Sequence, residues 1–321
     1  MIKKIMQARV IADRKELTHE QWVALRRTGI GGSDAGAICG LNSFSSPFSV
    51  YADKVGLTSE KPVSEAMRIG NDLEEYVAQR FTEATGKKVK RCNYVLQHEE
   101  HYWMLADVDR LIVSENAGLE CKTTSAFNKT DFTKADIPPQ YYAQCVHYMA
   151  VTGAQKWYIA ILVLGVGFYY FCIDRNEEEI NALLNIEQDF WTNNILACVE
   201  PSPDGTRATA EAISEMYYAN EGQSVDLLPY RNLLEEYSNL SAQIKALERE
   251  QEQIKQELQV YMANATEGQT DGFKVTWRQQ ERNTIDSKRL QIEHPEIYSA
   301  YAKKSVSRMF KITQIKDKEI V

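Results

Sequence analysis

No apolar run in this chain approaches the roughly 20 residues that a helix needs to span a bilayer, so a transmembrane helix is not expected. The opening Met1-Ile2-Lys3-Lys4-Ile5 is too short for a secretory signal, and no cleavage-like stretch follows it. Six cysteines (Cys39, Cys92, Cys121, Cys145, Cys172, Cys198) are scattered singly, without a C-x-x-C pair or a dense framework. That excludes a disulfide scaffold and points to a reducing, cytoplasmic setting in which the thiols fill apolar space. An excess of positive charge is also lacking. With 37 Lys and Arg against 45 Asp and Glu, the net charge is −8, which excludes a protein that coats DNA by bulk electrostatics. A nuclease stays open, because an acidic metal-binding cleft brings its own negative charge and basic contacts can be local. The remaining composition, 44% hydrophobic and 26% charged over 321 residues, fits a soluble globular protein of one to three domains.

The most informative stretch runs from Leu105 through Asp107-Val108-Asp109-Arg110 to Val113, then a polar turn, then Leu119-Glu120-Cys121-Lys122-Thr123. Apolar runs flanking an Asn/Gly-containing break predict two strands joined by a turn. Side chains alternate along a strand, so Glu120 and Lys122 share a face and Cys121 takes the other; a folded-back hairpin brings Asp109 level with that face. Two carboxylates and an ammonium on one surface suit Mg²⁺ binding beside the water that attacks a phosphodiester. An ordinary strand with exposed charges fits the same letters. Asp271…Asp286-Ser287-Lys288 also satisfies the loose pattern, but polar residues flank it and no buried strand surrounds it.

Taken in order, Thr18-His19-Glu20-Gln21 predicts a capping box and a helix to about Arg27. Arg26-Arg27-Thr28-Gly29-Ile30-Gly31-Gly32-Ser33-Asp34 follows, with Ser33 or Asp34 expected to cap a helix over Ala35 to Cys39. An arginine beside glycines and a helix start is a phosphate-site candidate, and equally a plain glycine turn. Ser46-Pro47 opens a short helix ending near Gly56. Ser64 to Thr85 is a longer one, with Ala66, Ile69, Leu73, Val77 and Phe81 as its stripe and Gly86 as its stop. Glu74 lies beside that stripe. A strand is expected over Lys88 to Gln97. The polar stretch Ser125 to Asp136, with Phe127, Lys129 and Phe132, is expected as a loop suited to a nucleic-acid edge. Pro138-Pro139 starts a helix that carries Gln144 and stops at Gly153. Trp157 to Leu164 and Gly167 to Ile173 read as a hairpin of buried strands, and Glu177 to about Ala197 as a helix. This order predicts an α/β fold with a mixed central sheet covered by helices on both faces.

Glu200-Pro201-Ser202-Pro203-Asp204-Gly205 marks a composition break. The expected organisation is a catalytic domain over 1–200, a linker over 201–228 and an accessory region over 229–321. In that region Leu233, Tyr237, Leu240, Ile244, Leu247, Ile254, Leu258 and Tyr261 recur in alternating steps of four and three, with Gln251 in the one polar slot, predicting a coiled coil. Phe273 to Trp277 is a further strand. Lys303 to Lys311 is a basic cluster with an aromatic, a candidate DNA or partner contact.

Arg26, Gly32-Ser33-Asp34, Gly70-x-x-x-Glu74, Asp109, Glu120-x-Lys122 and Tyr142-Ala143-Gln144-Cys145-Val146-His147-Tyr148-Met149, in this order and spacing, together resemble the YqaJ-like viral recombinase family. That family belongs with lambda exonuclease in the PD-(D/E)xK nucleases. The resemblance covers about Thr18 to Ala197, and the heptad-bearing tail also looks like that of YqaJ-type members. It implies a restriction-endonuclease-like core. Glu74, Asp109, Glu120 and the Cys121 carbonyl match the metal ligands, Lys122 the lysine that orients or deprotonates the attacking water, and Gln144 the glutamine beside it. Arg26 and Ser33 match the pair that holds a terminal 5′-phosphate. Two departures stand out: D-V-D-R replaces a proline-aspartate pair, and Val146 stands where members often have a second glutamine.

The resemblance implies a Mg²⁺-dependent (Mn²⁺ as an alternative) 5′→3′ exonuclease on ends of linear double-stranded DNA, supplying single strands for phage-type recombination. It further implies a trimeric ring, a single-strand annealing protein as partner, and a phage or prophage protein in the bacterial cytoplasm. The rival readings are a metal-dependent endonuclease on the same fold and a non-catalytic DNA-end-binding scaffold.

Overall fold

The computed structural model describes residues 3–60, 62–125, 132, 137–217, 223–303 and 308–315. The chain divides into two compact units, Met1–Tyr218 and Ala219–Val321.

In the first unit the elements run β1 (Lys4–Ile5), β2 (Ala8–Asp13), α1 (His19–Arg27), α2 (Gly32–Ile38), α3 (Pro47–Lys54), α4 (Glu65–Thr85), β3 (Val89–Arg91), β4 (Tyr94–Gln97), β5 (Leu105–Asp107), β6 (Arg110–Ile112), β7 (Ala117–Ser125), α5 (Pro139–Thr152), β8 (Lys156–Leu164), β9 (Gly167–Asp174), α6 (Glu177–Phe190) and α7 (Arg207–Met216). Local chemistry sets the helix ends. Thr18 and Gln21 form the capping box of α1, Ser46 and Pro47 open α3, Ser64 caps α4, and Gly86 and Gly153 end α4 and α5 in the left-handed conformation.

The core is a five-stranded mixed sheet, β3-β6-β7-β8-β9, in which β7 and β8 are parallel and α5 is the crossover that parallel neighbours require. Along β8, Trp157, Ile159, Ile161 and Val163 join the cluster that contains Cys145, Val146 and Met149 of α5; Tyr158 and Ala160 join the one that contains Val77, Ala78 and Phe81 of α4. Both faces are therefore covered, which is why β8 reads as an unbroken apolar run. β9 is the edge strand and is half exposed, so of the expected buried pair only the inner strand is mostly buried, over 157–161 and at Val163.

A second sheet, β1-β2-β4-β5, is antiparallel. It corrects two sequence expectations. The single strand expected over 88–97 is two, β3 in the mixed sheet and β4 in the antiparallel one, and the stretch from Leu105 splits likewise into β5 and β6. The two ribbons turn the corner together: Val95 faces Asp107 on one side, Arg91 faces Arg110 on the other, and between them Cys92 N–H donates to Asp109 O at 3.2 Å. Val108, 1% exposed, is buried at this corner.

Three further differences are local. The helix expected from Ala35 starts at Gly32, because Asp34 turns back to accept from Gly31 N–H at 2.9 Å, leaving Gly31 as the cap. The helix expected to about Ala197 is α-helical to Phe190 and continues as a π-helical turn over Trp191–Leu196. Within the stretch expected as linker, α7 buries Ala208 and Ala212, and Ala212 packs with Phe48 and Ala52 of α3. Thr209 Oγ1 donates to Ser46 Oγ at 2.7 Å there.

Phe127 and Lys129 lie outside the described residues; Phe132 is buried and stacks on Tyr169 at 5.6 Å. In the second unit, α8 (Arg231–Met262) precedes the hairpin β10 (Glu267–Thr270) and β11 (Phe273–Thr276), then α9 (Ser287–Glu293) and α10 (Pro295–Tyr301). Asp286 of the decoy carboxylate pattern caps α9 by accepting from Arg289 N–H at 3.0 Å. Of the basic cluster, residues 304–307 lie outside the described residues. Among the described residues no helix is long and apolar enough to cross a membrane.

Candidate active site

β6 pairs with β7 only as far as Leu119, so beyond that point this edge of β7 has no strand beside it. Asp109 fills the first position, its Oδ2 accepting from Cys121 N–H at 2.8 Å. A strand residue points its N–H and C=O to the same edge, so the Cys121 carbonyl faces the open side next to Asp109. The pleat turns Glu120 and Lys122 toward α5. Glu120, 3% exposed, accepts from Lys122 Nζ at 2.7 Å and from Gln144 Nε2 at 2.8 Å, all at Oε1. Its Oε2 is buried, and among the described residues nothing donates a hydrogen bond to it.

Burial, with Glu120 and Glu74 nearby, pushes the Asp109 carboxyl well above the usual carboxylate range. Burial also raises Glu120, against the pull of Lys122. Burial alone would lower the Lys122 ammonium, but Glu120 and Asp109 hold it above its ordinary value. Its Nζ also lies 5.0 Å from the centre of the Tyr141 ring.

Glu74 reaches the same region from α4, close enough for its charge to act on Asp109 and Glu120. Its Oε1 is nevertheless engaged by Arg110 and, at 3.4 Å, by Arg91. The Arg110 side chain is only 2% exposed and also donates to Glu75 Oε2 and to the Asp109 carbonyl, both at 2.9 Å. Among the described residues no three ligand-type side chains are already gathered around one point. The structure thus brings Asp109, Glu120 and Lys122 together, whereas Glu74 Oε1 is taken up by Arg110, an arginine the sequence reading had given no role.

Arg26 and Ser33 line the same cavity as Asp109 and Glu120, with Arg26 Nη2 donating to Ser33 Oγ at 3.4 Å. One cavity is lined by Trp22, Arg26, Ser33, Asp109, Glu120 and Gln144 together. Several of its supports escaped the sequence reading. Arg26 lies over the Trp22 ring at 4.9 Å, and the Trp22 indole N–H donates to Asp107 Oδ2 at 3.4 Å. Buried Lys54 binds Asp34 at 2.7 Å and the Arg26 carbonyl at 2.9 Å, tying α3 to α2 and the end of α1. Gln144 Nε2 also donates to Tyr148 Oη at 2.9 Å, and Tyr148 donates to the Asp107 carbonyl at 3.0 Å, which fixes the face that Gln144 presents to Glu120.

The sequence model of the YqaJ-like viral recombinase domain matches residues 21–155, the span that holds every one of these side chains. "Uncharacterized protein YqaJ" of Bacillus subtilis (strain 168) is 35% identical over 314 residues, covering 96% of this chain and 98% of that protein. This chain belongs to the YqaJ-like viral recombinase family. Solved structures with some likeness include an alkaline exonuclease (LHK-Exo) from Laribacter hongkongensis, 18% identical over 56% of this chain and 94% of that one, with a TM-score of 0.46. A phage related exonuclease from Haemophilus somnus 129PT is 12% identical over 55% of this chain and 99% of that one, with a TM-score of 0.41.

In this family member the D-V-D-R departure has a structural use. Arg110 spans from β6 to α4 and sets a positive charge against two carboxylates, Glu74 and Glu75, while donating to the Asp109 carbonyl. The residues also fit a divalent ion: Glu120 Oε2 is an acceptor without a donor, and Asp109 and Glu120 are held in a dry site that penalises their unneutralised charge.

Proposed function

We propose that the chain is a Mg²⁺-dependent 5′→3′ exonuclease that acts on ends of linear double-stranded DNA and leaves single strands for recombination. The observation that carries this reading is the shared cavity, whose lining combines a guanidinium and a hydroxyl suited to a terminal phosphate with the carboxylates of Asp109 and Glu120, the latter held at 2.7 Å by Lys122. Asp109, Glu120 and the Cys121 carbonyl would hold the ion, with Glu74 as a further ligand by family resemblance. A bound divalent ion supplies a polarised water and charge relief at the phosphate.

The protein's own groups do the rest. Lys122, held as an ammonium, orients the attacking water and offsets charge on the phosphate oxygens. Gln144 holds Glu120 through Oε1, which leaves Oε2 for the ion. Arg26 grips the terminal 5′-phosphate through its planar fork, and Ser33 adds a hydroxyl donor. Holding the end there sets the direction of cutting inward from the 5′ terminus. By family resemblance a single-strand annealing protein takes the product, and a ring of three copies would retain the duplex by topology, which suits a protein of net charge −8.

Digestion of linear duplexes with and without a 5′-phosphate, in Mg²⁺ and in chelator, tests cofactor and polarity together. Loss of linear duplex only in the metal, faster with the phosphate, is the expected result. Cutting of a covalently closed circle would favour the endonuclease reading, and binding without turnover would favour the scaffold.

A further inference from the structure

α8 is 32 residues long, about 48 Å at 1.5 Å per residue, and none of its residues is buried. Its seam is laid bare from end to end: Leu240, Ile244, Leu247 and Ile254 are 50 to 63% exposed. A regular apolar stripe on so long a helix is stable in water when another helix covers it.

The charges beside the stripe say which helix. With Leu240 and Leu247 at d and Ile244 and Gln251 at a, the flanking g residues include Glu250 and the flanking e residues include Glu248 and Lys255. In a parallel, in-register pair each g residue faces the e residue five positions on in the other helix. Glu250 then meets Lys255 of the second copy, twice by symmetry, and no g-to-e pair joins like charges. Gln251 meets its own counterpart, and the two amides can bond each other. Two antiparallel arrangements pair eight of the nine seam residues: one sets Glu248 against Glu248 and Glu250 against Glu250 and buries Gln251 against Leu247, and the other sets Glu236 against Glu257 and buries Gln251 against Leu240. Leu240 and Leu247 at d with Ile244 at a favour two strands at the centre of the seam, against Ile254 at d with Leu258 at a nearer its end, and the one polar a residue, Gln251, fixes register.

We propose that α8 pairs with α8 of a second copy of this chain as a parallel, in-register, two-stranded coiled coil. The proposal does not rest on the catalytic reading. It makes the second unit an assembly device that links cleavage units two by two, whatever contacts the first unit makes.

The test is the mass of the full chain in solution, by light scattering over a wide micromolar range. L240E/L247E is expected to halve that mass and leave the unfolding of the first unit unchanged. Either E250K or K255E alone is expected to raise the dissociation constant about tenfold, and E250K/K255E together to restore it. A mass unchanged by L240E/L247E, or reduced to a third, overturns the proposal. Failure of the double charge reversal to restore pairing overturns the parallel register even if the seam variant cannot be folded.

Discussion

The Asp109 carboxylate and the Cys121 N–H meet at 2.8 Å where β6 stops short of β7. A mid-strand amide of β7 that β6 no longer reaches is thereby satisfied by a side chain, and the side chain is fixed beside the next carboxylate. Glu120→Gln keeps the shape but removes the charge that Lys122 answers at 2.7 Å. Cleavage of linear duplex is expected to fall at least about a hundredfold in Glu120→Gln and in Lys122→Ala, with the far-UV spectrum unchanged. A rate within twofold of the unmodified enzyme in both variants would remove this site from the reaction.

Arg110→Met should separate two jobs. The guanidinium is buried and forks onto Glu74 and Glu75, so its loss is expected to cost about 2 kcal/mol of stability, seen as a lower urea midpoint. Glu74 is also freed from its arginine, so calorimetric titration with Mg²⁺ should give a changed affinity. Arg110→Lys cannot reproduce the fork and is expected to behave like Met in the urea titration.

Arg26→Ala tests the grip on the end. The variant is expected to lose the preference for 5′-phosphorylated over 5′-hydroxyl duplex, by about tenfold to a hundredfold in relative rate. Its urea midpoint should barely move. A preference that survives intact would assign the phosphate to other groups.

Gly32 sits against α5 with no room for a side chain: a Cβ there would stand 2.5 Å from Tyr148 Cε1. Tyr148 is buried and committed to Gln144 and Asp107, so it cannot swing away. Gly32→Ala should cost about 1–3 kcal/mol by overpacking and depress cleavage through Gln144. The paired readouts are the urea midpoint and the duplex digestion rate.

His147 and Glu187 are both fully buried and bonded at 2.8 Å, with His147 Nε2 also reaching Leu105 O at 2.8 Å. Burial opposes the imidazolium, but Glu187 prevails, with Asp34 adding a little, and the His147 pKa is raised. A raised folded pKa means the folded state holds more protons, so this pair's contribution is complete below about pH 6.5 and declines as pH climbs through the folded value. Urea midpoints measured upward from pH 6 should therefore fall, and Glu187→Gln should flatten that slope. A slope identical in the variant would reject the assignment.

Local signals were legible in the sequence wherever the physics is local. Thr18, Ser46, Ser64, Gly86 and Gly153 act within a turn of themselves, and their helices start and stop where they predict. Glu120 and Lys122 were legible for the same reason, since a period of two fixes their shared face. The splitting of 88–97 and 105–113 was not, because alternation tells which face a residue takes and not which sheet its strand joins. Tyr148 and Trp22 reach Asp107, Lys54 the Arg26 carbonyl and Arg110 Glu74, partners 28 to 85 positions away that only the folded chain brings together.

The corner at Val108 has a mechanical meaning. Asp107 holds the tryptophan on which Arg26 rests, and Asp109 belongs to the proposed cleavage centre; a single residue in a closed interior separates them. A tug on a gripped DNA terminus would travel from guanidinium to indole to Asp107 and reach the cutting carboxylate one peptide unit later. Holding and cutting would then share a lever too short to flex.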